Sequence, residues 1–112
     1  MHHLALRTQD LERLAAHYEN VCMLQRLPPR PNGSVWLLAG GVIVMIERCA
    51  PGEPTVARDG MDLLAFPIAS LENARAHLAA HDVAVEAETA ATLYFRDPDG
   101  RRNALSCYRF DD

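Results

Sequence analysis

The chain has 112 residues, 49% apolar and 23% charged, with a formal net charge of −4. That suits one folded domain or two half-units sharing a core, and argues against disorder. All eleven basic residues are arginines scattered along the chain, which excludes Schiff-base lysine chemistry and the P-loop lysine and leaves no electrostatic footprint for nucleic acid.

His3 to Thr8 alternates, with Leu4 and Leu6 on one side, and predicts a strand with one buried face. Asp10 follows as an N-cap. Leu11, Leu14, Ala15 and Tyr18 then fall at helical spacing, with Glu12 in the first turn, where the helix dipole favours a carboxylate, and His17 on the outer face. Residues 27–34, "LPPRPNGS", cannot be regular, because three prolines fix φ and remove donors while Asn-Gly favours a tight turn. "SVWLLA" (34–39) and "GVIVMIERC" (41–49) are rich in apolar and β-branched residues and predict strands joined by Gly40-Gly41, a pair suited to a two-residue hairpin. The run Val35 to Ile46 is too short to cross a bilayer and is broken by that pair, and the opening residues lack the order of a secretory signal, so no membrane partner is expected.

An irregular link, residues 50–60, precedes a restart of the pattern. Residues 61–69 predict a strand, Ser70 an N-cap, and Leu71, Ala74, Leu78 and Ala79 a helical stripe, with His77 outward and His81-Asp82 in the closing turn. Residues 83–88, 92–96 and 101–110 predict three more strands, the last two joined by Asp97-Pro98-Asp99-Gly100. At an offset of sixty, Leu4/Leu64, Ala5/Ala65, Leu11/Leu71, Glu12/Glu72, Ala16/Ala76 and His17/His77 are identical. The chain is expected to be α+β: two βαβββ units, 1–52 and 61–110, in one domain spanning residues 1–112. Cys22, Cys49 and Cys107 are odd in number and widely spaced, without a C-x-x-C pair, which fits a reducing cytoplasm.

With "HLALRTQDLERLAAHY", "LLAFPIASLENARAHL" and "LYFRDPDGRRNALSCY" in place, the chain resembles the glyoxalase, bleomycin-resistance and extradiol dioxygenase superfamily, the vicinal oxygen chelate fold. The resemblance implies that each unit curls its sheet into a pseudo-symmetric half-barrel with a ligand on the concave face. It also implies that metal-dependent members hold a divalent ion on up to four side chains, one near the start of each unit and one on a later strand of each. His3 matches the first position, but Leu63 and Ala104 occupy two others, and the fourth falls on Met45 or Glu47 according to alignment. A resident cofactor is therefore not expected. The most these residues offer is a weakly held divalent metal on His3 and Glu47, short of the three protein ligands typical of a catalytic site.

Strand parity places His3, Ala5 and Arg7, then Met45 and Glu47, then Leu63, Ala65, Ala104, Ser106 and Tyr108 on the ligand-facing side. His2 should face away from His3. Glu47 is a candidate general base or polar contact, or else an edge residue paired with an arginine. Arg7 either meets an anionic ligand or closes a rim salt bridge. Trp36 and Tyr94 either stack on a planar ligand or fill core. Cys107 is expected under the helices, with nothing nearby to lower its pKa. No G-x-S-x-G is present to support a serine hydrolase.

Three functions compete. The first is a small-molecule-binding protein of the drug-sequestering type, favoured by the lost donors. The second is a divalent-metal lyase, isomerase or dioxygenase using His3 and Glu47, with or without a ligand from a partner subunit. The third is an interaction module whose cleft is filled by its own side chains. The expected partners are a small-molecule ligand and a second copy of the chain in a homodimer, with neither nucleic acid nor membrane.

Overall fold

A computed structural model describes residues 1–53, 56 and 60–110. The chain forms two compact units, Met1–Thr55 and Val56–Asp112, and each runs strand, helix, strand, strand, strand. The first contains β1 (His3–Thr8), α1 (Leu11–Ala16), β2 (Gln25–Arg26), β3 (Val35–Ala39) and β4 (Val42–Arg48). The second contains β5 (Leu63–Pro67), α2 (Leu71–Ala80), β6 (Ala87–Glu88), β7 (Thr92–Arg96) and β8 (Arg102–Ser106). The expected α+β class and the two βαβββ units are both present. Part of the expected link, residues 54–55 and 57–59, lies outside the described residues.

Each unit builds a four-stranded mixed sheet, in the orders β1-β4-β3-β2 and β5-β8-β7-β6. The first strand pairs in parallel with the last, and the other pairings are antiparallel. β1 and β5 start sixty residues apart, as do α1 and α2, so the sequence repeat is a repeat of structure. Its caps are chemically equivalent. The Asp10 carboxylate accepts from the Arg13 backbone N–H at 3.2 Å, and the Ser70 hydroxyl accepts from that of Asn73 at 3.2 Å, each satisfying a donor the helix leaves open.

One face of each sheet packs on its helix. In the first unit Leu6, Leu37, Val44 and Ile46 are buried together with Leu14, Ala15 and Tyr18. In the second, Phe66, Leu93, Phe95 and Leu105 are buried with Ala74 and Leu78. An ion pair links helix to outer strand in both units, with reversed polarity. Arg26 on β2 reaches Glu12 on α1 at 2.9 Å, whereas Arg75 on α2 reaches Glu88 on β6 at 2.7 Å. The hydrogen bonds from Arg75, then its charge, hold the Glu88 carboxyl below the usual carboxylate range.

Five expectations need correction. The first helix does not run on regularly: after Ala16 it widens into a π-helical turn, His17–Val21. That turn carries His17 inward to 7% exposure, where its Nε2 lies 3.8 Å from the Cys22 thiol, so it is not a solvated outer histidine. Strand β2 precedes the proline-rich stretch and was unsignalled, since two residues are too few to show alternation. The expected strand 83–88 is reduced to Ala87–Glu88. The closing strand stops at Ser106, so Cys107 and Tyr108 lie past it; the Cys107 thiol donates to the Ala91 carbonyl at 3.5 Å. Finally, His2 does not point away from His3, because it precedes the strand and its Nδ1 lies 2.9 Å from that of His3.

Both turns read from sequence form as expected. Gly40 at φ +60 lets Ala39 pair with Val42 across a two-residue connection. In the second unit the buried Asp97 carboxylate accepts from the backbone N–H groups of Asp99 and Arg101 at 2.9 and 3.0 Å, and Gly100 takes φ +97.

Truncating Leu37 or Leu105 to alanine is expected to cost about 2–5 kcal/mol in urea unfolding, because each leaves a cavity in a fully buried site. Asp10→Ala and Ser70→Ala should each cost about 1 kcal/mol, the usual value of a lost N-cap.

Candidate functional site

The face of each sheet opposite its helix is set by pairing. In the first unit, His3 stands opposite Ile43, Ala5 opposite Met45 and Arg7 opposite Glu47, while Trp36 pairs with Met45 from the other side. Since opposite residues share a face, His3, Ala5, Arg7, Trp36, Met45 and Glu47 all project from the open side. In the second unit, Leu63 stands opposite Arg102, Ala65 opposite Ala104 and Pro67 opposite Ser106, with Tyr94 across from Ala104 and Thr92 across from Ser106. Leu63, Tyr94 and Ser106 therefore share the open face of this unit. Tyr108 does not, because it lies beyond the strand and is 61% exposed.

On the first face the polar groups behave differently. Arg7 forms an ion pair with Glu53 at 2.9 Å, the rim salt bridge that was one of its two expected roles. Glu47 is half-buried and takes no hydrogen bond or ion pair among the described residues. Trp36 donates from Nε1 to the Ser34 hydroxyl at 3.1 Å, and the Arg30 guanidinium lies 4.1 Å over its ring. One face of the indole is thus already stacked. His3 is exposed.

On the second face the Tyr94 ring carries the Arg102 guanidinium at 4.8 Å, and the Thr92 and Ser106 hydroxyls hydrogen-bond at 2.8 Å. Ala104 is fully buried, but Leu63 beside Arg102 is 40% exposed. Arg102, Arg96 and Thr92 belong to this face and were missed. The parity count that places Ser106 also reaches Arg102, two residues before Ala104, and the parity of Tyr94 reaches Thr92 and Arg96; only the β7–β8 register sets those two across from Ser106 and Arg102.

Pairing also resolves which β4 residue matches the fourth metal position implied by the resemblance. Ala5 stands opposite Met45 as Ala65 stands opposite Ala104, so Met45 is the counterpart of Ala104, and Glu47 is the counterpart of Ser106. Glu47 lies four residues along β4 from Ile43, the partner of His3, or about 13 Å at the usual strand rise. Side chains stand roughly perpendicular to the sheet, so His3 and Glu47 do not converge on an ion requiring nitrogen and oxygen ligands at about 2 Å. Among the described residues no group of three His, Cys, Asp or Glu side chains is placed to hold a metal. The residues present do not fit the metal site that the resemblance implies, with methionine, leucine and alanine in three of its four positions.

The described residues offer no accessible nucleophile paired with a base. The one close thiol–imidazole pair, Cys22 with His17, is buried on the helix side at 3% and 7% exposure. What the open faces provide is apolar area with a few polar groups: Glu47 on one, Arg102 and Tyr94 on the other.

No protein-family model matches the chain, and neither does any curated protein sequence. Solved structures do match. An integron cassette protein from the mobile metagenome of V. cholerae superposes with a TM-score of 0.77 at 22% identity, covering 97% of this chain and 94% of that one. The fosfomycin resistance protein FosX from Listeria monocytogenes, in a complex with Mn(II) and 1S,2S-dihydroxypropylphosphonic acid, gives 0.81 at 18% identity over 99% and 93%. A virulence protein from Salmonella typhimurium gives 0.76 at 18% over 97% and 96%. The strand order, the repeated units and these likenesses together show that the chain has the vicinal oxygen chelate fold, shared with glyoxalases, bleomycin-resistance proteins and extradiol dioxygenases.

Proposed function

We propose that the protein binds a small, planar or partly apolar molecule on its open sheet faces and does so without a tightly held metal. The observation that carries this reading is the exchange of donors for Met45, Leu63 and Ala104 on faces that remain partly exposed. Alanines at positions 5 and 65 keep those faces low, which a ligand can use and a self-filled cleft would not need. Apolar walls with a few convergent polar groups are the usual composition of a small-molecule site. Glu47, unpaired among the described residues, is the polar contact on the first face.

The reading places the protein in the cytoplasm as one domain of two units that acts as a homodimer. Three free cysteines suit a reducing compartment. Exposed Met61, Tyr108 and Phe110 supply apolar surface that a second copy can cover. Among the described residues no helix is long and apolar enough to cross a membrane. A divalent-metal lyase, isomerase or dioxygenase is the competing reading. It has His3 in its favour and the residues at 45, 63 and 104 against it.

Protein purified without chelator should carry well under one equivalent of Mn, Fe, Ni or Zn per chain by elemental analysis. A stoichiometric metal lost on His3→Ala would establish the competing reading instead. In a thermal-shift screen, planar ligands at about a hundred times their Kd should stabilise the fold by roughly 2.7 kcal/mol. Glu47→Ala should weaken first-face ligands by about 1–3 kcal/mol, and Leu63→Trp should block the second face. A screen in which no compound class raises the melting temperature removes the sheet faces as the site, and one in which Leu63→Trp changes nothing removes the second face.

A further inference from the structure

We propose that the ligand carries an oxyanion and that Arg102 receives it on the open face of the second unit. The inference rests on the small-molecule reading above and adds a charge to it. Arg102 opens β8 with the parity of Ala104 and Ser106 and is half-buried. Arg7, Arg26, Arg75, Arg96 and Arg101 each meet a glutamate or aspartate at 2.7–3.2 Å. Arg102 meets none among the described residues, where its guanidinium lies over the Tyr94 ring.

That arrangement is electrostatically incomplete. Directly across on β7 stands Arg96, and like charges directly opposite on neighbouring strands destabilise a sheet. Arg96 is neutralised by Glu86 at 2.8 Å and also donates to the Gly100 carbonyl at 3.1 Å. No described residue neutralises Arg102. A cation–π contact offsets part of the cost of partly burying a guanidinium but supplies no acceptor for its five N–H donors. The planar fork matches a carboxylate or phosphate, which it can grip through two parallel hydrogen bonds.

The surroundings fit a ligand with an apolar body. Leu63 stands opposite Arg102 on β5, and Ala65 stands opposite Ala104, so an apolar floor lies directly beside the cation. Beyond Tyr94 the Thr92–Ser106 hydroxyl pair closes the row. The Tyr94 ring also restrains the guanidinium, which reduces the entropy lost when it binds. On this face a side chain supplies the positive charge, two residues before the position where the fold's metal-binding members place a donor.

The test compares benzoate with benzamide, nearly isosteric and differing in charge, by calorimetric titration of the full chain in EDTA. Arg102→Gln is the variant, and Arg75→Gln controls for loss of positive charge elsewhere. The unsubstituted protein should prefer benzoate about tenfold or more, as expected for a charge-assisted hydrogen bond. Arg102→Gln should erase the preference while keeping benzamide binding, and Arg75→Gln should keep the preference. Equal affinities in the unsubstituted protein, or a preference that survives Arg102→Gln, overturns the anion site and leaves the small-molecule reading standing. Failure of both compounds to bind overturns both. If Arg102→Gln does not fold, the Arg102 Nε–H resonance of the unsubstituted protein decides: a shift with benzoate and not with benzamide supports the proposal, and no shift with benzoate overturns it.

Discussion

A strand cannot reach a parallel neighbour through a tight turn, and in each unit the first strand pairs in parallel with the last. The chain must therefore cross over, and it does so through a helix followed by two antiparallel strands that bring it back alongside its start. The crossover helix covers one side of the sheet and leaves the other open. Register is then fixed by burial. A slip of one residue would send Leu6 out and bring His3 under α1 in the first unit, and would do the same with Phe66 and Ala65 in the second. Which groups face a ligand is thus a by-product of which groups fill the core.

The two units solve the same packing problem with different local chemistry. Either sign of charge can sit on the helix provided the outer strand carries the other, as Glu12–Arg26 and Arg75–Glu88 show. These pairs are partly or fully exposed, so they steer the contact between helix and strand more than they stabilise it. The second helix runs regularly through ten residues, whereas the first is six residues long and then widens by a π turn that buries His17 and Tyr18. Repetition is therefore strict at the caps and first strands, and loosens where side-chain volume rather than backbone pairing sets the geometry.

The open faces inherit their character from this division. Met45, Leu63 and Ala104 make these faces largely apolar, with isolated polar groups. Among the described residues Arg7, Arg26, Arg75, Arg96 and Arg101 meet carboxylates, while Arg102 rests on an aromatic ring.

The sequence by itself determined the elements whose signals are local. The alternation of His3 to Thr8, the caps Asp10 and Ser70, the Gly40-Gly41 hairpin and the Asp97–Gly100 turn all depend on a few adjacent residues. The sixty-residue repeat then made the βαβββ architecture legible without coordinates. Parity within a strand also follows from sequence, which is why most of the candidate face residues share the open sides. Only the tertiary structure decided how strands align with one another, because register depends on which cores fill and not on any one strand's pattern. That alignment made Met45 rather than Glu47 the counterpart of Ala104, set His3 and Glu47 too far apart to share an ion, and placed Arg96 and Tyr94 beside Arg102. It also ended the last strand at Ser106, removing Tyr108 from the face, and turned His17 inward through a helix irregularity with no sequence signature. Periodicity carries information along the chain, whereas pairing and burial carry it across, and the chemistry of this protein's open faces is set across strands.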